Sequence, residues 1–232
     1  MKDIRHRGPH LGVLASIYVI LKIASVFPVS AFGSKAPYFP GLHAPADKVA
    51  AYFGTHGHAV ALCAFLQVGS AIPFGILAAS LMSRLRFFGV NVSGVYIAFF
   101  GGMMAAIDEL FSGAVISVMA QPMVAANGAL VQALHYLAVA LGGPGFTMPF
   151  GLLMAGVSVV GGFRKLLPKW IVALGLVLAL AGELSWLSMV LPKAEFLIPL
   201  TRWPGFVWLI AAGFAIPAAI ARKTPEATAA TA

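Results

Sequence analysis

Charge is scarce in this chain. Lysine, arginine, aspartate and glutamate make up 9% of its 232 residues, and only seven residues are acidic. A soluble domain carries nearer a quarter, so this complement is too small to cover a water-soluble fold of this length. Cysteine is almost missing as well. The single Cys63 excludes an intrachain disulfide and a cysteine-rich zinc or iron–sulfur site. It lies among apolar residues and reads as a packing residue. There is no Gly-rich phosphate loop, no nucleophile elbow, no periodic arginine run and no TVGYG-type filter. Nucleotide hydrolysis, esterase-type catalysis, voltage sensing and potassium-type conduction therefore have no foothold in the sequence.

What the chain has in quantity is apolar surface. It is 60% hydrophobic, with a mean hydropathy of +0.94. A spanning helix needs about 20 such residues, and six stretches qualify: about 11–33, 57–83, 90–119, 144–163, 169–191 and 204–221. The expected fold is an all-α, polytopic membrane helix bundle in one domain, 1–223, with a disordered tail over 224–232. Residues 1–10 are basic and precede an apolar run, and Val29-Ser30-Ala31 resembles a cleavage site. The run is long enough to span, however, so we read it as a retained first helix rather than a secretory signal.

Basic residues set the expected orientation. Lys2, Arg5, Arg7, Arg84, Arg86, Arg164, Lys165, Lys169, Arg222 and Lys223 fall on one side, and Lys35, Lys48, Lys193 and Arg202 on the other. Ten against four places the first side, with both termini, in the cytoplasm, as expected for a bacterial inner-membrane protein. The net charge of +8 then reflects membrane orientation and does not call for nucleic acid.

Residues 122–141 are apolar enough to form a seventh crossing. That crossing would move Arg164, Lys165 and Lys169 outside, so six is preferred, with an extra helix around 123–141 at the outer face or re-entrant. Gly142-Gly143-Pro144-Gly145 would break it from the fourth span. In the long outer loop 33–57, Asp47–Phe53 reads as a short amphipathic helix with Val49, Tyr52 and Phe53 on one side.

A weak internal repeat is visible. Gly69-Ser70-Ala71-Ile72-Pro73-Phe74-Gly75 resembles Gly145-Phe146-Thr147-Met148-Pro149-Phe150-Gly151, with a fainter copy at Gly213-Phe214-Ala215-Ile216-Pro217. On the returning helices Lys22, Glu109 and Glu183 hold similar positions. This implies a three-fold repeat of helical hairpins, each contributing one ionisable group.

Those groups carry the functional signal. A charge at the centre of a spanning helix costs roughly 2.5–3.5 kcal/mol on insertion scales, so Lys22, Asp108, Glu109 and Glu183 must share an interior away from lipid. Gln132 and His135, three residues apart, belong to the same depth, and Trp186 is placed to wall a cavity beside Glu183. Lys22 is expected to pair with Glu109 or Glu183. Asp108, adjoining Glu109, points about 100° away on a helix. The alternative chemistry is a haem or divalent metal held by His58 and His135. No HExxH or ExxH pair supports it. The methionines form no repeated Met-x-x-Met pattern and read as packing.

Three stretches carry a family resemblance: His58 to Leu85; Asn127-Gly128-Ala129-Leu130-Val131-Gln132-Ala133-Leu134-His135-Tyr136 with Gly142-Gly143-Pro144-Gly145; and Glu183-Leu184-Ser185 with Arg202-Trp203-Pro204-Gly205. Together they resemble the uncharacterised six-helix bacterial membrane proteins grouped as a membrane domain of unknown function of the 4386 type. The resemblance implies a six-helix inner-membrane protein and supplies no activity. The residues themselves point to a polar cavity in the outer half of the bilayer that binds or transports a small or lipid-like ligand, in a monomer or homo-oligomer. A haem- or metal-dependent enzyme or electron carrier is the second reading, and a structural subunit of a membrane complex the third.

Overall fold

The computed structural model describes residues 4–30, 40–41 and 44–220. The tail expected over 224–232 and most of the first part of the 33–57 loop lie outside the described residues. Among the described residues nine α-helices follow one another: α1 (Leu11–Val26), α2 (Ala46–Thr55), α3 (Gly57–Phe87), α4 (Ser93–Met119), α5 (Pro122–Ala125), α6 (Gly128–Gly142), α7 (Pro144–Phe163), α8 (Lys169–Leu184) and α9 (Leu197–Ala215). Short 3-10 turns extend α1 over Phe27–Val29, extend α8 over Ser185–Met189 and lead into α9 over Pro192–Phe196.

Among the described residues six stretches are long and apolar enough to cross a membrane: Leu11–Val29, Gly57–Phe87, Ser93–Met119, Gly128–Phe163, Lys169–Met189 and Pro192–Ala215. The chain is an all-α bundle of membrane-spanning helices. Its outward surface fits lipid. Phe65, Ile20, Val207, Leu180 and Phe100 are all exposed, far more apolar surface than a soluble monomer leaves in water.

The spans pack in a closed ring in chain order: α1 on α3, α3 on α4, α4 on α7, α7 on α8, α8 on α9, and α9 back on α1. The middle is filled by aromatic rings. Tyr18 stacks on Phe74 with centroids 4.4 Å apart, and Phe146, Phe150 and Phe206 close around them. Missing side chains let α4 and α7 approach closely. A Cβ on Gly101 of α4 would come within 2.4 Å of the Pro149 carbonyl of α7, and one on Gly156 within 2.5 Å of the Gly94 carbonyl.

One sequence expectation holds and one boundary changes. The extra helix near 123–141 is α6, and it leads directly into α7 with a break only at Gly143, whose ψ of −106° is not helical. Together α6 and α7 form one candidate span of 36 residues, about 54 Å at the α-helical rise against a hydrocarbon core of about 30 Å. α6 lies along the far half of α4, and α2 packs on α6. In α2, Val49, Tyr52 and Phe53 are the buried face. The last span begins at Pro192 rather than near 204. Pro204 lies inside α9, and its missing N–H does not break the helix because neighbouring spans hold the backbone in place.

At the end bearing the termini, Ile4–Arg5 pairs antiparallel with Ala219–Ile220. Buried Arg84 joins the two terminal segments, donating to the Pro217 carbonyl at 3.1 Å and the Pro9 carbonyl at 3.3 Å.

Candidate functional site

The helices bring Lys22 and Glu109 together. Lys22 Nζ lies 2.9 Å from Glu109 Oε1, with side chains 8% and 1% exposed. Tyr18, one turn before Lys22 on the same face of α1, donates its hydroxyl to Glu109 Oε2 at 3.0 Å. From α3, the Ser70 hydroxyl is 2.9 Å from Oε1 and 2.7 Å from the Gln67 carbonyl. Its single proton serves one acceptor at a time. Gln67 Nε2 donates to the backbone carbonyl of Glu109 at 3.3 Å. One carboxylate on α4 therefore ties α1 and α3 to itself.

A second cation stands nearby. Arg202 of α9 donates from Nη2 to the Gly142 carbonyl at the end of α6, and its guanidinium lies 5.3 Å from the centre of the Phe146 ring. With all three ionised, Lys22, Arg202 and Glu109 are two cations and one anion, a sum of +1.

The other expected residues lie elsewhere. Glu183 is the acidic partner that Lys22 does not use. It is half-buried on α8 against Gly151 of α7, with its Oε1 lacking a hydrogen bond among the described residues. Asp108 is half-buried and turned towards Gly145 at the α6–α7 break. The three repeat-related positions thus make different contacts. Gln132 is half-buried, and its Oε1 has no hydrogen bond among the described residues. Trp186 is 49% exposed. His135 is fully buried, 3.4 Å from the Gly41 carbonyl and against the Phe53 ring, while His58 is exposed at the start of α3. The two imidazoles therefore have different surroundings. Among the described residues no group of three or more His, Cys, Asp or Glu is placed to hold a metal.

Sequence reasoning missed Tyr18 and Ser70 and placed Arg202 in an outer loop. The Tyr18–Lys22 spacing of four was the available signal for the first. Arg202 was displaced by taking Pro204 as a helix start. A further polar contact was also missed: Thr147 of α7 and Ser185 share a hydrogen bond of 2.7 Å beside the buried Thr201.

No protein-family model, curated protein or solved structure matches this chain.

Proposed function

We propose that this protein is a carrier or receptor that binds a small or lipid-like ligand at the charged centre around Glu109. We place it in a bacterial inner membrane with both termini cytoplasmic, in line with the bias of basic residues, which is ten against Lys35, Lys48 and Lys193 once Arg202 is counted within α9. The 4386-type resemblance fits this placement.

The observation that carries the reading is the buried Lys22–Glu109 pair. Desolvating two ions costs several kcal/mol each, and an apolar pair of similar volume often holds helices as well or better. Intramembrane ions of this kind mark ligand and proton pathways. The chemistry is an exchange. A proton on Glu109 removes its hold on Lys22, and an anionic ligand group then takes its place between Lys22 and Arg202. The net charge of the centre stays at +1 through that exchange, so no additional unpaired charge has to be buried. Tyr18 and Ser70 reorient their hydroxyls to whichever oxygen is present.

The test is water access. Ser70→Cys in a Cys63→Ala background is reconstituted and treated with a small charged thiol reagent from either side of the membrane. The reading expects labelling from one side only, accelerated by Glu109→Gln. Protection from both sides in both backgrounds means the cluster is a sealed structural joint.

A further inference from the structure

The turn between α7 and α8 holds two lysines in places that local structure disfavours. The Leu166 N–H donates to the Gly161 carbonyl at 2.8 Å and the Lys165 N–H to the Gly162 carbonyl at 3.1 Å. These are the paired bonds of a Schellman motif, whose left-handed position is usually glycine. Here it is Lys165, at φ 53°, the one non-glycine residue with positive φ among the described residues. A side chain resists that conformation. Lys169 opens α8, which has no acidic residue in its first turn, and a cation there opposes the helix dipole. Membrane orientation depends on how many basic residues a turn carries and does not explain why they stand at these two positions.

Both lysines line a groove of about 550 Å³ whose other walls are Gly162, Leu167, Pro168, Val172, Ala173 and Leu176. No carboxylate lines it, and neither ammonium has an ion pair or hydrogen bond among the described residues. The apolar wall continues along α8 from Val172 to Leu176, which is 41% exposed. The lysines stand where one candidate span ends at Phe163 and the next begins at Lys169. Trp170 beside them is 60% exposed, and tryptophan favours the boundary between acyl chains and headgroups.

We infer that this groove binds one acidic phospholipid of the surrounding bilayer, with its phosphate between the Lys165 and Lys169 ammoniums and one acyl chain against Val172, Ala173 and Leu176. Charge selects the occupant. Two cations without a counter-ion call for an anion, and basic pockets between spanning helices take anionic headgroups. The apolar wall selects a lipid over a soluble anion, because a free phosphate leaves Val172, Ala173 and Leu176 uncovered. The bound phosphate offsets the cation at the start of α8, and it gives residue 165 a use for a side chain that glycine lacks. The site is separate from the Glu109 centre, and neither reading depends on the other.

The test is native mass spectrometry of the full chain in detergent, titrated with phosphatidylglycerol or with phosphatidylcholine of the same acyl chains. The natural chain should retain one phosphatidylglycerol in preference to phosphatidylcholine. Lys169→Gln and Lys165→Gly should each weaken that retention about fivefold, the worth of one basic residue near an anionic surface. Lys165→Gly should at the same time melt no earlier than the natural chain, because glycine suits the left-handed position. A lysine kept only for the fold would lose stability instead. Ala173→Trp fills the apolar wall without touching the charge and should also displace the lipid, which keeps the test decisive if a lysine variant misfolds. Arg86→Gln, at the same end of the bundle but outside this groove, should leave retention unchanged. Equal retention of the two lipids overturns the assignment, and so does an equal loss in Arg86→Gln, which makes the preference a property of the whole basic end. Displacement of the bound lipid by inorganic phosphate, with retention unaffected by Ala173→Trp, assigns the groove to a soluble anion and overturns it as well.

Discussion

Breaking the Lys22–Glu109 pair from its two ends should not cost the same. Glu109→Gln leaves the Lys22 ammonium buried at 8% exposure with only neutral partners, and removal of one member of a buried pair costs about 3–5 kcal/mol. Lys22→Met leaves Glu109 with the Tyr18 and Ser70 hydroxyls at 3.0 and 2.9 Å and with Arg202 in its field. The loss is then nearer one charge-assisted hydrogen bond, about 1.5–3 kcal/mol. The double variant buries no unpaired charge at this position, and its glutamine still accepts from Tyr18 or Ser70. It should be more stable than the sum of the singles implies, by an amount in the range of about 0.5–3 kcal/mol seen for directly coupled residues. The assay is reversible unfolding in mixed micelles by denaturing detergent, with all four proteins in one lipid composition. Single losses that add to the double loss within about 0.5 kcal/mol, or a Lys22→Met loss exceeding that of Glu109→Gln, refute the reasoning.

Further outcomes follow from the packing and the termini. Gly101→Val should destabilise by about 1–3 kcal/mol or more, because its Cβ meets the Pro149 carbonyl and the Leu153 nitrogen. Gly69→Ala, with nothing within 4 Å of its Cβ, should be neutral or slightly stabilising; thermal unfolding separates the two. Phe53→Ala should cost about 3–5 kcal/mol and loosen α2 from α6, seen as faster hydrogen exchange over 46–55, since Phe53 is 1% exposed. At the termini, burial first and Arg84 second hold the His6 imidazole below its ordinary value. The unfolded segment then binds more protons than the folded one, so the clasp is fully formed above about pH 6.5 and weakens as pH falls below it. Proteolysis of the first ten residues should accelerate on acidification, and His6→Phe should flatten that dependence.

Most of the scaffold was readable in the sequence because membrane insertion depends on length and apolarity, which are local properties. The 144–163 span is α7 to the residue, and the apolar face Val49, Tyr52 and Phe53 is the buried face of α2. The site was less legible. Lys22 and Glu109 stood out because ions in spans are rare. Their donors Tyr18 and Ser70 did not, because hydroxyls are common in spanning helices. Which carboxylate meets Lys22 depends on how the ring of helices closes, and that is a property of long-range packing. Pro204 misled the boundary of α9, since proline stops helices in water more reliably than inside a bundle, and Arg202 was thereby moved to a loop.

The proposed exchange releases Lys22 when Glu109 takes up a proton within the folded protein. pH-difference infrared spectroscopy of reconstituted protein tests it directly. The expected result is a reversible conversion of one carboxylate band to a protonated carboxyl band on acidification. It should be absent in Glu109→Gln. A spectrum unchanged by Glu109→Gln, or conversion only together with unfolding, rules the exchange out and leaves the pair as a fixed joint between α1, α3 and α4.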